Sequence, residues 1–197
     1  MNVTPTHPML DSYYSQDLVF FSILVAVLAS YTALTMTSRV SQSRGRAAVL
    51  WLAGGAFAMG LGIWSMHFIG MLAFNLPIAL GYDLTLTGLS LVAAIGSSAF
   101  ALWLVSRPQL PWHQILFGAV LMGAGIATMH YIGMAALTLT PDPRMSAPQG
   151  FDRGALADVI AVGAAGMLVA AGVFSFTDRR LVAERLRAAA RMHRLAN

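Results

Sequence analysis

The chain has no cysteine and no lysine, and only 10% of its 197 residues are charged. Without cysteine there are no disulfides, no thiolate metal centres and no thiol nucleophile. Soluble domains carry about 25% charged residues. So low a charge content, with 57% hydrophobic residues and a mean hydropathy of +0.69, points to a chain whose solvent is a bilayer. Catalytic patterns are missing as well. No glycine-rich phosphate loop or carboxylate cluster is present, and no nucleophile, base and orienting group fall together, so no enzymatic activity is expected. No arginine precedes the first apolar run, which lacks the form of a cleaved signal peptide; the first helix is expected to be retained.

Five apolar stretches are present, at 18–38, 47–74, 84–105, 115–139 and 155–176. Crossing the hydrocarbon core as helix takes about 20 residues, so each stretch predicts a span. The fold class is all-α, a polytopic transmembrane bundle of about five spans built from parallel helical-hairpin repeats. Residues 1–17 form an extracytoplasmic segment, 18–176 the transmembrane domain and 177–197 a basic cytoplasmic tail. In the tail Leu181, Val182, Leu186 and Ala189 gather along one side, the pattern of an interfacial helix or of a connector to a signalling partner.

All twelve basic residues are arginine, and they are unevenly placed. Arg39, Arg44, Arg46, Arg107 and the six tail arginines from Arg179 to Arg194 fall on one side of a five-span chain, with Arg144 and Arg153 on the other. Arginine-rich loops stay in the cytoplasm. The amino terminus is therefore expected outside the bacterial inner membrane and the carboxyl terminus inside. The basic balance then reflects topology and attraction to anionic lipid, with no nucleic-acid partner required.

The most informative feature is internal repetition. MGLGIWSMHFIGMLA at Met59 to Ala73 and MGAGIATMHYIGMAA at Met122 to Ala136 align without gaps, with ten of fifteen positions identical. Fainter echoes pair ASYTAL at Ala29 with SSAFAL at Ser97, and Tyr82-Asp83 with Phe151-Asp152. One helix separates the two repeat helices, so both run from inside to outside. A third hairpin begins and stops, which gives two hairpin repeats and a half.

Residues three or four apart share a helix face. Gly60, Ile63, His67 and Met71 form one stripe, and Gly123, Ile126, His130 and Met134 its counterpart. Both stripes are expected to face the bundle interior, with the glycines letting the two backbones approach, because an imidazole in lipid lacks partners. At about 1.5 Å of rise per residue, the two histidines fall roughly a third of the way in from the outer surface. Each stripe offers an imidazole and a thioether one turn apart, with Met66 and Met129 on a neighbouring face. His with Met suits copper, above all Cu(I), better than zinc or magnesium. The absence of a nearby carboxylate favours a monovalent or soft ion. His7 and Met9, in the outer segment, are within reach of the same mouth. Other readings of the pair are helix packing with a hydrogen bond between helices, and a two-histidine haem site, which asks for a wider cavity.

The segments SMHFIGMLAF and TMHYIGMAAL, with LVAVLASYTAL and WLAGGAFAMGLGIWSMHFIGM, resemble the signature of the MHYT-domain family of bacterial integral membrane sensors over about residues 14–176. The resemblance implies a cytoplasmic-membrane sensor that binds copper near its outer face and through it detects oxygen, carbon monoxide or nitric oxide. Its motif residues fall on Met66, His67 and Met71 and on Met129, His130 and Met134. Phe68 and Tyr131 take the Tyr place, and Ile69 and Ile132 stand where Thr would follow. Pro77 matches an outer-face proline of the family and is read as shaping a turn. Family members commonly carry more helices, a third motif and fused cyclic-di-GMP domains, none of which is read in this sequence. The expected function is membrane sensing and signalling. The alternatives are a small metal-handling transporter and a structural membrane adaptor.

Overall fold

The computed structural model describes residues 13–75, 79–107, 109–140 and 151–167, together with Val169 and Gly172. Outside them lie most of the expected outer segment with His7 and Met9, Pro77, Arg144, the end of the fifth predicted helix and the basic tail. The element order is β1 (Tyr13–Tyr14), α1 (Gln16–Gln42), α2 (Arg46–Ala73), β2 (Phe74–Asn75), β3 (Ala79–Tyr82), α3 (Leu84–Val105), α4 (Trp112–Ala135), β4 (Leu137–Thr140) and β5 (Phe151–Asp152). A last helix, α5, is described over 153–167. Among the described residues four helices, α1 to α4, are long and apolar enough to cross a membrane. The chain is an all-α multi-pass bundle, as its composition predicts.

Local chemistry fixes the helix ends. Gly45, at φ +58°, makes the turn between α1 and α2, a conformation that costs glycine little because it has no Cβ. The Asp83 carboxylate accepts from the Leu86 N–H at 2.8 Å and caps α3. Pro111 precedes α4, where the proline ring suits a helix start and its carbonyl accepts from Gln114 N–H at 2.9 Å. Along α1 the hydroxyls of Ser30, Thr32, Thr37 and Ser41 donate to carbonyls four residues back, so these polar side chains are satisfied inside an apolar span.

All five helices meet a layer of short strands at one end. β1 pairs antiparallel with β2, and β3 lies between β4 and β5. The strands were not anticipated: residues 137–139, predicted as the end of the fourth helix, belong to β4. Alternating Leu-Thr suits an extended chain, and the backbone groups that leave α4 find partners on β3. Two hydrogen bonds repeat across this layer. Ser15 N–H donates to the carbonyl of Ala73 at 2.9 Å, and Asp83 N–H to that of Ala136 at 2.8 Å. Ala73 and Ala136 are the same position of the two motif copies.

Helix α2 is the hub. The main core joins Val25 and Ala29 of α1, Trp64, Phe68 and Leu72 of α2, Ala94 of α3, and Leu156, Ile160 and Met167 of α5. Glycines set the close approaches. A Cβ on Gly55 would lie 2.9 Å from Met36 Cβ, and one on Gly62 would lie 2.6 Å from Ala29 Cβ. On α4, Gly118 meets Leu104 and Gly125 meets Ser97 in the same way. These contacts are equivalent, because Gly55 and Gly62 align with Gly118 and Gly125 while Ala29 and Met36 align with Ser97 and Leu104. The faint echo between ASYTAL and SSAFAL therefore marks a shared contact. Each motif helix lays one glycine seam on the helix that precedes it, α2 on α1 and α4 on α3.

Candidate functional site

His67 and His130 meet near the strand end of the bundle. Their Nδ1 atoms are 3.4 Å apart and the rings stand nearly edge to face, at 69° with centroids 4.9 Å apart. The contact exists because α4 has a glycine where α2 needs room: a Cβ on Gly133 would lie 2.8 Å from His67 Nε2 and 3.1 Å from its Cδ2. Phe68 supports the His67 ring from the core side at 5.1 Å, and Tyr131 stands against His130 at 5.3 Å.

The pair forms part of the wall of a cavity of about 470 Å³. Met66, Met71 and Met134 share that wall, as do Tyr14, Phe74 and Tyr82. Met129 does not. It is buried in the core and lines only a groove on the flank of the cavity, between α2 and α4, which it shares with Met66, His67 and His130. Of the six residues singled out by the repeat, five thus surround one space and the sixth lies beside it.

One expectation about the second stripe is corrected. Gly123, Ile126, His130 and Met134 do not face the interior: Gly123 has nothing within 4 Å of an added Cβ, and the other three are exposed on the surface of the chain. Nor do Gly60 and Gly123 bring the two motif backbones together, since Gly60 packs on the α3 backbone at Ile95. The reason is that α4 spends its glycine seam, at Gly118 and Gly125, on α3 and touches α2 mainly through Gly133.

Tyr82 was noticed in the sequence only as part of a repeat echo. It is 1% exposed, sits on the central strand β3, and has its ring edge-on to Phe68. Its hydroxyl, like His67 Nε2, is buried without a hydrogen-bond partner among the described residues. Burial raises the phenol pKa above its ordinary value, opposed by the charge of Arg153, so the hydroxyl keeps its proton. Arg153, at the start of α5, donates from Nη2 to the carbonyl of Leu72 at the end of α2. This bond ties the first motif helix to the last described helix. No spacing rule in the sequence predicts it.

The donor set can be tested against copper. Two imidazole nitrogens 3.4 Å apart suit a single ion held at about 2 Å from each. Three thioethers line the same space and, among the described residues, no carboxylate does. Among the described residues there is no group of three or more His, Asp or Glu, so a third ligand has to be sulfur or come from elsewhere. A neutral N and S set favours a soft, monovalent ion.

The profile of a family described as "Bacterial signalling protein N terminal repeat" matches three stretches of the chain, residues 5–50, 60–118 and 123–189. The chain belongs to the MHYT family. The family profile divides the chain into three units where the sequence reading found two hairpins and a half. Each matched stretch takes in one helix that starts at the strand layer, namely α1, α3 and α5. The second and third units begin within α2 and α4 and so carry His67 and His130; the range of the first includes His7 and Met9, which lie outside the described residues. Among curated relatives, the MHYT chain is 67% identical over 133 residues to the bifunctional diguanylate cyclase/cyclic di-GMP phosphodiesterase MucR of Pseudomonas aeruginosa, covering 68% of this chain and 19% of the relative. It is 46% identical over 160 residues to the cyclic di-GMP phosphodiesterase NbdA of the same organism, covering 80% and 20%. It is 40% identical over 125 residues to the signaling protein YkoW of Bacillus subtilis, covering 64% and 16%. The chain thus spans about a fifth of the length of these relatives, and what matches is the membrane signalling module. No solved structure gives a significant match.

Proposed function

We propose that this MHYT module is the input end of a signalling protein in the bacterial inner membrane, and that it reads its signal through copper held by His67 and His130. The observation that carries this reading is the 3.4 Å separation of the two Nδ1 atoms on a wall shared with Met66, Met71 and Met134. Bound there, Cu(I) would supply a soft centre able to take a small diatomic ligand such as oxygen, carbon monoxide or nitric oxide. The protein's own residues supply the rest. Phe68 and Gly133 fix the His67 ring, the thioethers complete a neutral donor set, and the strand layer closes the cavity above them. Met129 serves packing in this reading. Its place in the core keeps it away from the cavity wall.

The same reading puts the amino terminus outside. Arg39, Arg44, Arg46 and Arg107 belong to the end of the bundle away from the strands, where Arg107 lies 3.8 Å over the Trp103 ring and Arg39 lies 5.8 Å over that of Trp51. Aromatic and arginine anchors of this kind suit the cytoplasmic interface. The histidine end then faces outward. Output follows the relatives named above, most of whose length lies outside the matched stretch, and cyclic di-GMP turnover is the output class that the names of MucR and NbdA suggest.

The experiment is metal analysis of protein purified in detergent and loaded with Cu(I). The expected content is one copper per chain, falling to background in His67→Ala and in His130→Ala while both variants keep the wild-type elution profile. Wild-type copper content in both variants would sink the reading and leave the pair as a packing contact.

A further inference from the structure

The cavity is far larger than a diatomic gas needs. Its 470 Å³ lies in the range of sites that take organic molecules, about 300–1,000 Å³. Among the described residues no arginine, aspartate or glutamate lines it, so a carboxylate or phosphate head would meet no guanidinium there and would enter at a high desolvation cost. The wall is instead rich in polarisable and aromatic groups. Tyr14 and Phe74 stand 5.1 Å apart at 45°, and Met66, Met71 and Met134 add thioether sulfur. Flat π-systems pack well on such surfaces.

A second space adjoins the cavity along the bundle. A groove of about 510 Å³ on α1 shares Ser22 and Met66 with it and runs past Ile23, Val27 and Leu34, all exposed to the bilayer. A head with hydrogen-bonding atoms therefore has a place in the cavity, and a hydrocarbon chain has a place in the groove, with access from the lipid phase. The histidine pair supplies a hydrogen-bond donor in two of its states. When His67 donates from Nδ1 to His130, or when both Nδ1 atoms hold a metal, the remaining His130 proton is on Nε2. His130 is the exposed ring of the two.

We propose that the cavity binds the head of a lipid-soluble quinone, with its chain lying in the α1 groove. A quinone is uncharged, flat, accepts hydrogen bonds through its carbonyl oxygens and carries a long apolar tail, which are the properties the two spaces select. The inference rests on the cavity and its groove and holds with or without copper at the imidazoles.

The test uses the full chain in detergent, stripped of metal, with decylubiquinone as the probe and calorimetric titration as the readout. Wild type is expected to bind saturably, one molecule per chain. Decanol, a chain without the head, is expected not to displace the probe. Two substitutions separate head from tail. Gly70 lines the cavity and a Cβ there would meet nothing within 4 Å, so Gly70→Leu fills the space without a clash and is expected to weaken decylubiquinone about tenfold or more. Ala26 lines the groove, and Ala26→Leu is expected to weaken decylubiquinone but not the tail-less 2,3-dimethoxy-5-methylbenzoquinone. If Gly70→Leu fails to fold, the Ala26→Leu comparison carries the test. Absence of saturable binding to wild type, equal displacement by decanol, or wild-type affinity in both variants overturns the proposal. Copper content, measured separately on wild type, decides the metal reading, so either one can fail alone.

Discussion

The two motif helices carry nearly the same fifteen residues and occupy opposite environments. On α2, Phe68 is fully buried and Trp64 is 2% exposed, its indole N–H donating to Ser90 Oγ at 2.9 Å. On α4, the aligned Tyr131 is 72% exposed and the aligned Ala127 is also on the surface. The differences between the copies follow that split. Phe stands on the fully buried face, Tyr where its hydroxyl is free of the core, and the large indole sits only on the helix that has neighbours to receive it. What the copies share divides into two functions. Gly62 and Gly125 hold each helix to the helix that precedes it, while His67 and His130 meet each other. The repeat therefore records a common seam and a common site, and leaves burial to the position of each helix in the bundle.

Glycine substitution at aligned positions should break this comparison most sharply. A Cβ on Gly60 would lie 2.6 Å from Ile95 Cα and 2.7 Å from its N, backbone atoms that cannot turn aside. Gly60→Ala should lose stability by about 1–3 kcal/mol or more, beyond the roughly 1 kcal/mol gained in helix propensity. Gly123→Ala, with open space around it, should be neutral or stabilising by up to about 1 kcal/mol. Thermal unfolding in detergent reads both, at about 2–4 °C per kcal/mol. Equal Tm values would mean that α2 is not the packed hub.

A smaller effect is expected from exchanging the aromatic pair. Phe68→Tyr buries a hydroxyl among Trp64, His67 and Tyr82 and should cost about 1–3 kcal/mol. Tyr131→Phe should change Tm by little, as surface substitutions do. If Tyr131→Phe destabilises as much as Phe68→Tyr, the exposed face of α4 is covered in the membrane by something other than lipid.

The smallest change in stability, within about 1 kcal/mol, is expected from the glycines beside the histidines. Gly133→Ala places a methyl 2.8 Å from His67 Nε2 and must turn that ring, so copper affinity should fall. Gly70→Ala adds a methyl into open space and should leave it unchanged. Titration with a Cu(I) chelator distinguishes them, and unchanged affinity in Gly133→Ala would separate the His67 orientation from metal binding.

Much of this was legible in the sequence because bilayer physics leaves little choice. A chain poor in charge, with apolar runs of about 20 residues separated by arginine, can satisfy its backbone only as spanning helices. The fifteen-residue repeat singled out both histidines, and five of the six residues it marked line one cavity. Several features were decided only by tertiary structure. Helical periodicity gives a face but not its neighbour, so it places the stripe through Gly123 and His130 in the interior, whereas α4 uses its glycine seam on α3. The strand layer escaped notice because Leu137 to Thr140 continues an apolar run, and only pairing with β3 makes it a strand. The bond from Arg153 to the Leu72 carbonyl and the 3.4 Å approach of the two imidazoles join residues 81 and 63 positions apart, and the burial of the Tyr82 hydroxyl, unpartnered among the described residues, depends on the packing of β3 over α2. Sequence determined which chemistry is present twice; the packing of α2 against three other helices, and of α4 chiefly against one, decided which copy is the core and which is the open wall.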